Sequence, residues 1–150
     1  MLWSVLFGVL VFEGTWDPST TRPSPALGPR SVVALQLEAL RSDPDPVGTL
    51  VRFASPRFLT RAGGREGIRR AVHEDWAILA QQSRALIEPT LGPPSRRATL
   101  LVIALDPAGP PVGFVFEMRR DETDCWRIDD LRRLRPARRM PTPQTMKIAI

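Results

Sequence analysis

Apolar positions recur at helical spacing through the first half of the chain and at alternating spacing through the second. Val33, Leu37 and Leu40 fall at i, i+4 and i+7, one stripe of a helix over residues 32–41 with Ser31 as its predicted cap. Ser42, Asp43 and Pro44 stop it. Asp45-Pro46 then pairs a capping carboxylate with a proline at the first helical position, and Val47, Leu50, Val51 and Ala54 give a second helix its apolar side. Ser55-Pro56 ends that helix, and Gly63-Gly64 makes a break. A third helix is predicted over residues 65–82, with Ile68, Ala71, Val72, Asp75 and Leu79 on its inner stripe and Trp76 alongside.

After Gln82 the period changes. Residues 85–88 read as a short strand ended by Pro89, and residues 98–105 are apolar on both alternating faces, as in a strand covered on both sides. A turn rich in Pro and Gly follows over 106–111. Val112, Phe114, Phe116 and Met118 share one face of the next strand, and Gly113, Val115, Glu117 and Arg119 share the other. Residues 121–124 turn the chain into a last strand in which Trp126 and Ile128 face one way and Arg127 and Asp129 the other. Helices first, then strands joined by short turns, predict an α+β domain. About three N-terminal helices should pack on one face of an antiparallel sheet of three to four strands.

The ends divide the rest of the chain. Residues 1–16 carry an apolar run at 2–12, residues 17–29 form a Pro-rich linker, residues 30–134 the domain, and residues 135–150 a basic, Pro-containing tail. The apolar run spans about 16 Å as a helix, too short for a hydrocarbon core of about 30 Å. Three readings of it stay open: a degenerate export signal, a mispredicted start, or an apolar segment that docks on the domain. A targeting role would place the protein outside the cytoplasm or in an organelle, and otherwise the chain reads as cytoplasmic.

Length and composition, 150 residues with 43% hydrophobic and 25% charged, are those of one ordinary globular domain. The net charge of +5 is local. Seven basic and two acidic residues from Arg127 onward account for all of it. This tail, with Arg132, Arg133, Arg135, Arg138 and Arg139, has no interleaved aromatics, so it reads as solvated and not as a nucleic-acid arm. Arginine outnumbers lysine twenty to one and Asn and Tyr are missing, the pattern of a GC-rich coding sequence. The single cysteine, Cys125, offers neither an intramolecular disulfide nor a zinc pair.

Three segments carry a resemblance. The helix Val32-Val33-Ala34-Leu35-Gln36-Leu37-Glu38-Ala39-Leu40-Arg41, then Phe53-Ala54-Ser55-Pro56, and finally Cys125-Trp126-Arg127-Ile128-Asp129-Asp130 follow in that order. Together they resemble a domain-of-unknown-function family of bacteria and plants within the nuclear transport factor 2-like, or cystatin-like cone, superfamily. The resemblance covers residues 31–134 and implies a strongly bent antiparallel sheet wrapped around helices, with a pocket between them. Trp76, Phe114, Phe116, Met118 and Trp126 are the expected lining of that pocket, suited to a small apolar ligand. A homodimer through the open sheet face, or another protein partner, is also implied. The family has no established activity to transfer, and residues 57–64 depart from its pattern.

Candidate chemistry is sparse. His73 is the sole histidine, and a helix would set it about 200° from Asp75. Asp75, on the predicted inner stripe, would act as an acid or base if it faced an apolar pocket, or else would pair with Arg127. Glu117 and Asp129 should lie on adjacent strands, either facing solvent with Arg119 and Arg127 as partners or, if the bend of the sheet reverses the faces, lining the pocket. No metal cluster, phosphate-binding glycine loop or cofactor motif is present. The sequence therefore points to a non-catalytic ligand-binding or assembly module. The alternative is a small-molecule isomerase, dehydratase or hydrolase using a pocket carboxylate among Asp75, His73 and Glu117.

Overall fold

Proline opens three of the five described helices. In a computed structural model, which describes residues 16–82, 84–88, 95–106 and 108–135, α1 spans Pro29–Ser42, α2 Pro46–Phe53 and α3 Pro56–Ala62. Proline fits the first helical turn because its missing N–H is one that the helix would leave unpaired. Gly28, not Ser31, holds the cap position of α1, which starts three residues earlier than the apolar stripe suggests. Asp45 caps α2 as expected, its Oδ1 accepting from Gly48 N–H at 3.0 Å. Ser55 does the same for α3, accepting from Phe58 N–H at 3.1 Å. That helix was absent from the expectation, although Ser55-Pro56 repeats the signature of Asp45-Pro46.

The predicted third helix is two helices, α4 over Gly64–His73 and α5 over Ala77–Gln81. Trp76 N–H bonds the carbonyl of Ala71 at 2.8 Å, a span one residue wider than the α-helical repeat, and the helix stops there. The indole is drawn into the core beside Phe58, with ring centroids 6.1 Å apart. Asp75 is left exposed on the intervening turn and does not join the inner stripe; His73 is exposed as well.

The strands are β1 (Arg84–Ile87), β2 (Arg97–Leu105), β3 (Val112–Arg120) and β4 (Trp126–Arg133), all antiparallel in the order β1-β2-β3-β4. The described part of the molecule is thus α+β, with every helix preceding every strand. Leu100, Val102, Phe114, Phe116, Met118, Trp126 and Ile128 project from one face and are buried among Leu50, Phe53, Ile68 and Leu79 of the helices. A register shift lies between Glu117 and Met118: Glu117 opposes Asp130 and Met118 opposes Ile128, so Asp129 is the extra residue. Such a bulge bends the strand and re-aims the side chains around it.

The other sheet face carries Leu86, Leu101, Ile103 and Val115, with Leu134 lying over Gly113 in the space a Cβ there would need. The outer edge of β4 is covered by the α2–α3 corner, where Ser55 N–H bonds the Ile128 carbonyl at 2.8 Å. No described helix is long and apolar enough to cross a membrane. The apolar run at 2–12 and the arginine tail beyond residue 135 lie outside the described residues.

The stretch expected to be an extended linker is docked. Arg52 donates to the carbonyls of Pro18 (3.0 Å), Thr21 (2.8 Å) and Ser19 (3.2 Å), wrapping a turn around its guanidinium. Leu27 is buried in the core.

Candidate functional site

The two segments that stood out latest in the sequence, residues 53–56 and 125–130, meet at one end of the sheet. Ser55 uses its hydroxyl twice, accepting from Phe58 N–H and donating to Asp129 Oδ1 at 2.8 Å. Arg127 Nη1 donates to the Arg52 carbonyl at 2.8 Å, and its Nε to Asp121 Oδ2 at 2.7 Å. The α2–α3 corner is therefore tied to the β3–β4 hairpin by side chains from both.

Asp121 organises that hairpin. Its Oδ1 accepts from the hydroxyl and the N–H of Thr123 (2.6 and 2.8 Å) and from Cys125 N–H (3.1 Å). Burial pushes its carboxyl up, but these donors and the Arg127 guanidinium outweigh burial and hold it far below the usual carboxylate range. Asp124 takes the left-handed conformation (φ 62°) that lets the chain return, and its carboxylate pairs with Arg120 at 2.8 Å. The Arg120 guanidinium lies 5.0 Å from the centre of the Trp126 ring, a cation–π contact at the edge of the core. Its Nε is buried and has no acceptor.

Between corner and hairpin lies a cleft of about 670 Å³. Its lining includes six arginines, Arg52, Arg57, Arg96, Arg119, Arg120 and Arg127, against three acids, Asp121, Glu122 and Asp129. Arg52 and Arg127 are committed to the contacts above. Arg57 reaches only to 3.9 Å from Asp129, and Arg96 and Arg119, both exposed, show no side-chain partner among the described residues. The uncharged lining is Val51, Ala54 and Pro56, with the hydroxyl side chains of Ser55 and Thr123.

Comparison with protein-family models, curated proteins and solved structures gave no match. The chemistry of the cleft follows from its own side chains. A surface with three more guanidiniums than carboxylates attracts anions, and guanidinium binds carboxylate or phosphate through paired N–H groups. Among the described residues no group of three or more His, Cys, Asp or Glu side chains is placed to hold a metal ion.

The residues singled out from sequence fall elsewhere. Trp76, Phe114, Phe116, Met118 and Trp126 are buried in the core and do not line this cleft. His73 and Asp75 sit on the exposed end of α4 and the turn after it. Glu117 lies on the outer sheet face with Arg132 at 3.4 Å, not with Arg119. Arg127 pairs with Asp121 and not with Asp75. The arginine cleft escaped the sequence because charge was summed along the chain. The balanced part of the sequence supplies five of the six arginines, and the packing of the α2–α3 corner against the β3–β4 hairpin gathers them.

Proposed function

We propose that this protein is a non-catalytic binding module on a nuclear transport factor 2-like fold, taking a small anionic ligand in the arginine-lined cleft. The observation that carries the reading is the cleft itself, where the Arg96 and Arg119 side chains have no partner among the described residues and Arg57 is loosely held. The helices stacked on one face of an antiparallel sheet, and the bulge at Glu117/Met118, support the cone. The ligand differs from the apolar one expected, because the aromatic side chains proposed to contact it are packed against one another and the helices.

The enzymatic alternative has no comparable support. Asp75, His73 and Glu117 are apart from the cleft, and the aspartates within it, Asp121 and Asp129, are already engaged by Arg127 and Ser55. A homodimer through the outer sheet face belongs to the same proposal. Leu86 (41% exposed) and Leu134 (38% exposed) flank Leu101 and Ile103 there and supply an apolar contact.

The test is thermal unfolding of the full chain in a panel of small anions, each compared with chloride at equal ionic strength. A ligand that binds only the folded state at about a hundred times its Kd adds about 3 kcal/mol, a rise of several degrees in Tm. Arg119→Gln should abolish the rise while leaving the unliganded Tm within about a degree or two. If no anion in the panel raises Tm, the reading fails.

A further inference from the structure

Strand register places Arg97 directly opposite Arg119, and Arg119 directly opposite Arg127, in one row across β2, β3 and β4. Neighbouring strands are about 4.8 Å apart, so the three side chains leave the backbone one strand-width from each other. Like charges set directly opposite destabilise a sheet, and a protein that keeps such a row gains from an anion laid on it. Only one end of the row is neutralised internally, by Asp121 on Arg127. Arg97 and Arg119, both exposed, have no side-chain partner among the described residues.

Of that row Arg119 and Arg127 line the cleft, and Arg57, from α3, lines it as a second cationic point. The Arg57 side chain is 63% exposed, and its nearest carboxylate oxygen, Asp129 Oδ2, is 3.9 Å away, beyond hydrogen-bond distance, while Oδ1 of the same group takes the Ser55 hydroxyl. Val51, Ala54 and Pro56 line the cleft along with these charges and offer no hydrogen-bonding side chain. Among the described residues no aromatic side chain lines the cleft to stack on a nucleobase.

Resting on the anion-binding reading above, we infer that the ligand is a small organic dianion with two separated anionic groups. One group sits on Arg119, the other on Arg57, and the carbon skeleton between them lies on Val51, Ala54 and Pro56. A monoanion would neutralise one point and leave the other unmatched. Two linked anionic groups convert the second contact into an intramolecular one, so a dianion of matching length binds far more tightly than either half.

The experiment is calorimetric titration of the full chain at fixed ionic strength with acetate, then with the straight-chain dicarboxylates succinate, glutarate and adipate. The expected result is one dicarboxylate binding at least about tenfold more tightly than acetate, with an optimum along the length series. Arg119→Gln and Arg57→Gln should each reduce that dicarboxylate to the acetate level, and the two together should weaken it below that level. Arg41→Gln, whose guanidinium reaches only Glu38 at 3.9 Å on α1, controls for the loss of one charge. All three positions are solvent-facing, and circular dichroism of each variant verifies the fold. Equal affinity for acetate and every dicarboxylate, with Arg57→Gln silent, overturns the dianion while leaving an anion site in place. Absence of binding by any of these carboxylates overturns the dianion, and the anion site itself falls only if the wider anion panel also leaves Tm unchanged.

Discussion

Asp121 is a residue whose value depends on its charge. Its carboxylate is the acceptor for Thr123, Cys125 and Arg127 together, and its folded-state pKa is held well below the ordinary carboxylate value of about 4. A depressed carboxylate contributes stability that is present above the unfolded pKa and lost as pH falls toward the folded one. Asp121→Asn should therefore cost about 2 kcal/mol near neutral pH, in line with hydrogen bonds to a charged group. The gap to wild type should narrow steadily as pH drops below about 4. Urea unfolding at a series of pH values measures this; a gap constant across the series would assign the effect to shape and not to charge. Asp75 provides the contrast. It is exposed, so Asp75→Asn should change stability by no more than about 0.5 kcal/mol.

Capping decides how the corner next to the cleft is built. Ser55 and Asp45 cap successive helices, yet Ser55 is buried and also holds Asp129, whereas Asp45 is exposed and shares its carboxylate with Arg65 at 3.0 Å. Ser55→Ala should cost about 2 kcal/mol and Asp45→Ala about 1 kcal/mol. Equal losses in chemical denaturation would show that the Asp129 bond adds nothing. The α3–α4 corner sets a stricter condition, because Gly63 is left-handed (φ 87°) and a Cβ on Gly67 would collide with the Ala62 carbonyl. Gly67→Ala should lower Tm by several degrees, more than Gly64→Ala, which has open space around it but must also bear a positive φ. The strands were legible because burial on one face imposes strict alternation, and their ends moved by only a few residues. The interruption after His73 was not, because Ile68, Val72 and Leu79 all remain buried on both sides of the turn. The helical stripe thus continues in sequence across a break in the backbone.

At the scale of the molecule, helices cover one sheet face and leave the other with Leu86, Leu101, Ile103 and Leu134. If two copies meet there, light scattering at high protein concentration should give twice the monomer mass, and Leu86→Glu should return it to one. A monomer at every concentration would remove the dimer from the proposal. The fold class was legible because the order of helical and strand periodicity survives without knowing any contact. The site was legible only in fragments. Residues 53–56 and 125–130 were conspicuous separately, but their meeting depends on β4 lying beside the α2–α3 corner, and the arginine row depends on a register no local pattern encodes.

The contact between Arg120 and Trp126 gives the cleft an optical readout. The guanidinium lies over the indole while Arg120 itself lines the cleft. An anion that draws Arg120 away from the ring changes the charge next to the excited indole, and with it the wavelength and yield of emission. Trp126→Phe should erase that response and Trp76→Phe should not, since Trp76 is buried beside Phe58 and is not part of the cleft lining. The protein would report its own occupancy in a fluorimeter, without any label.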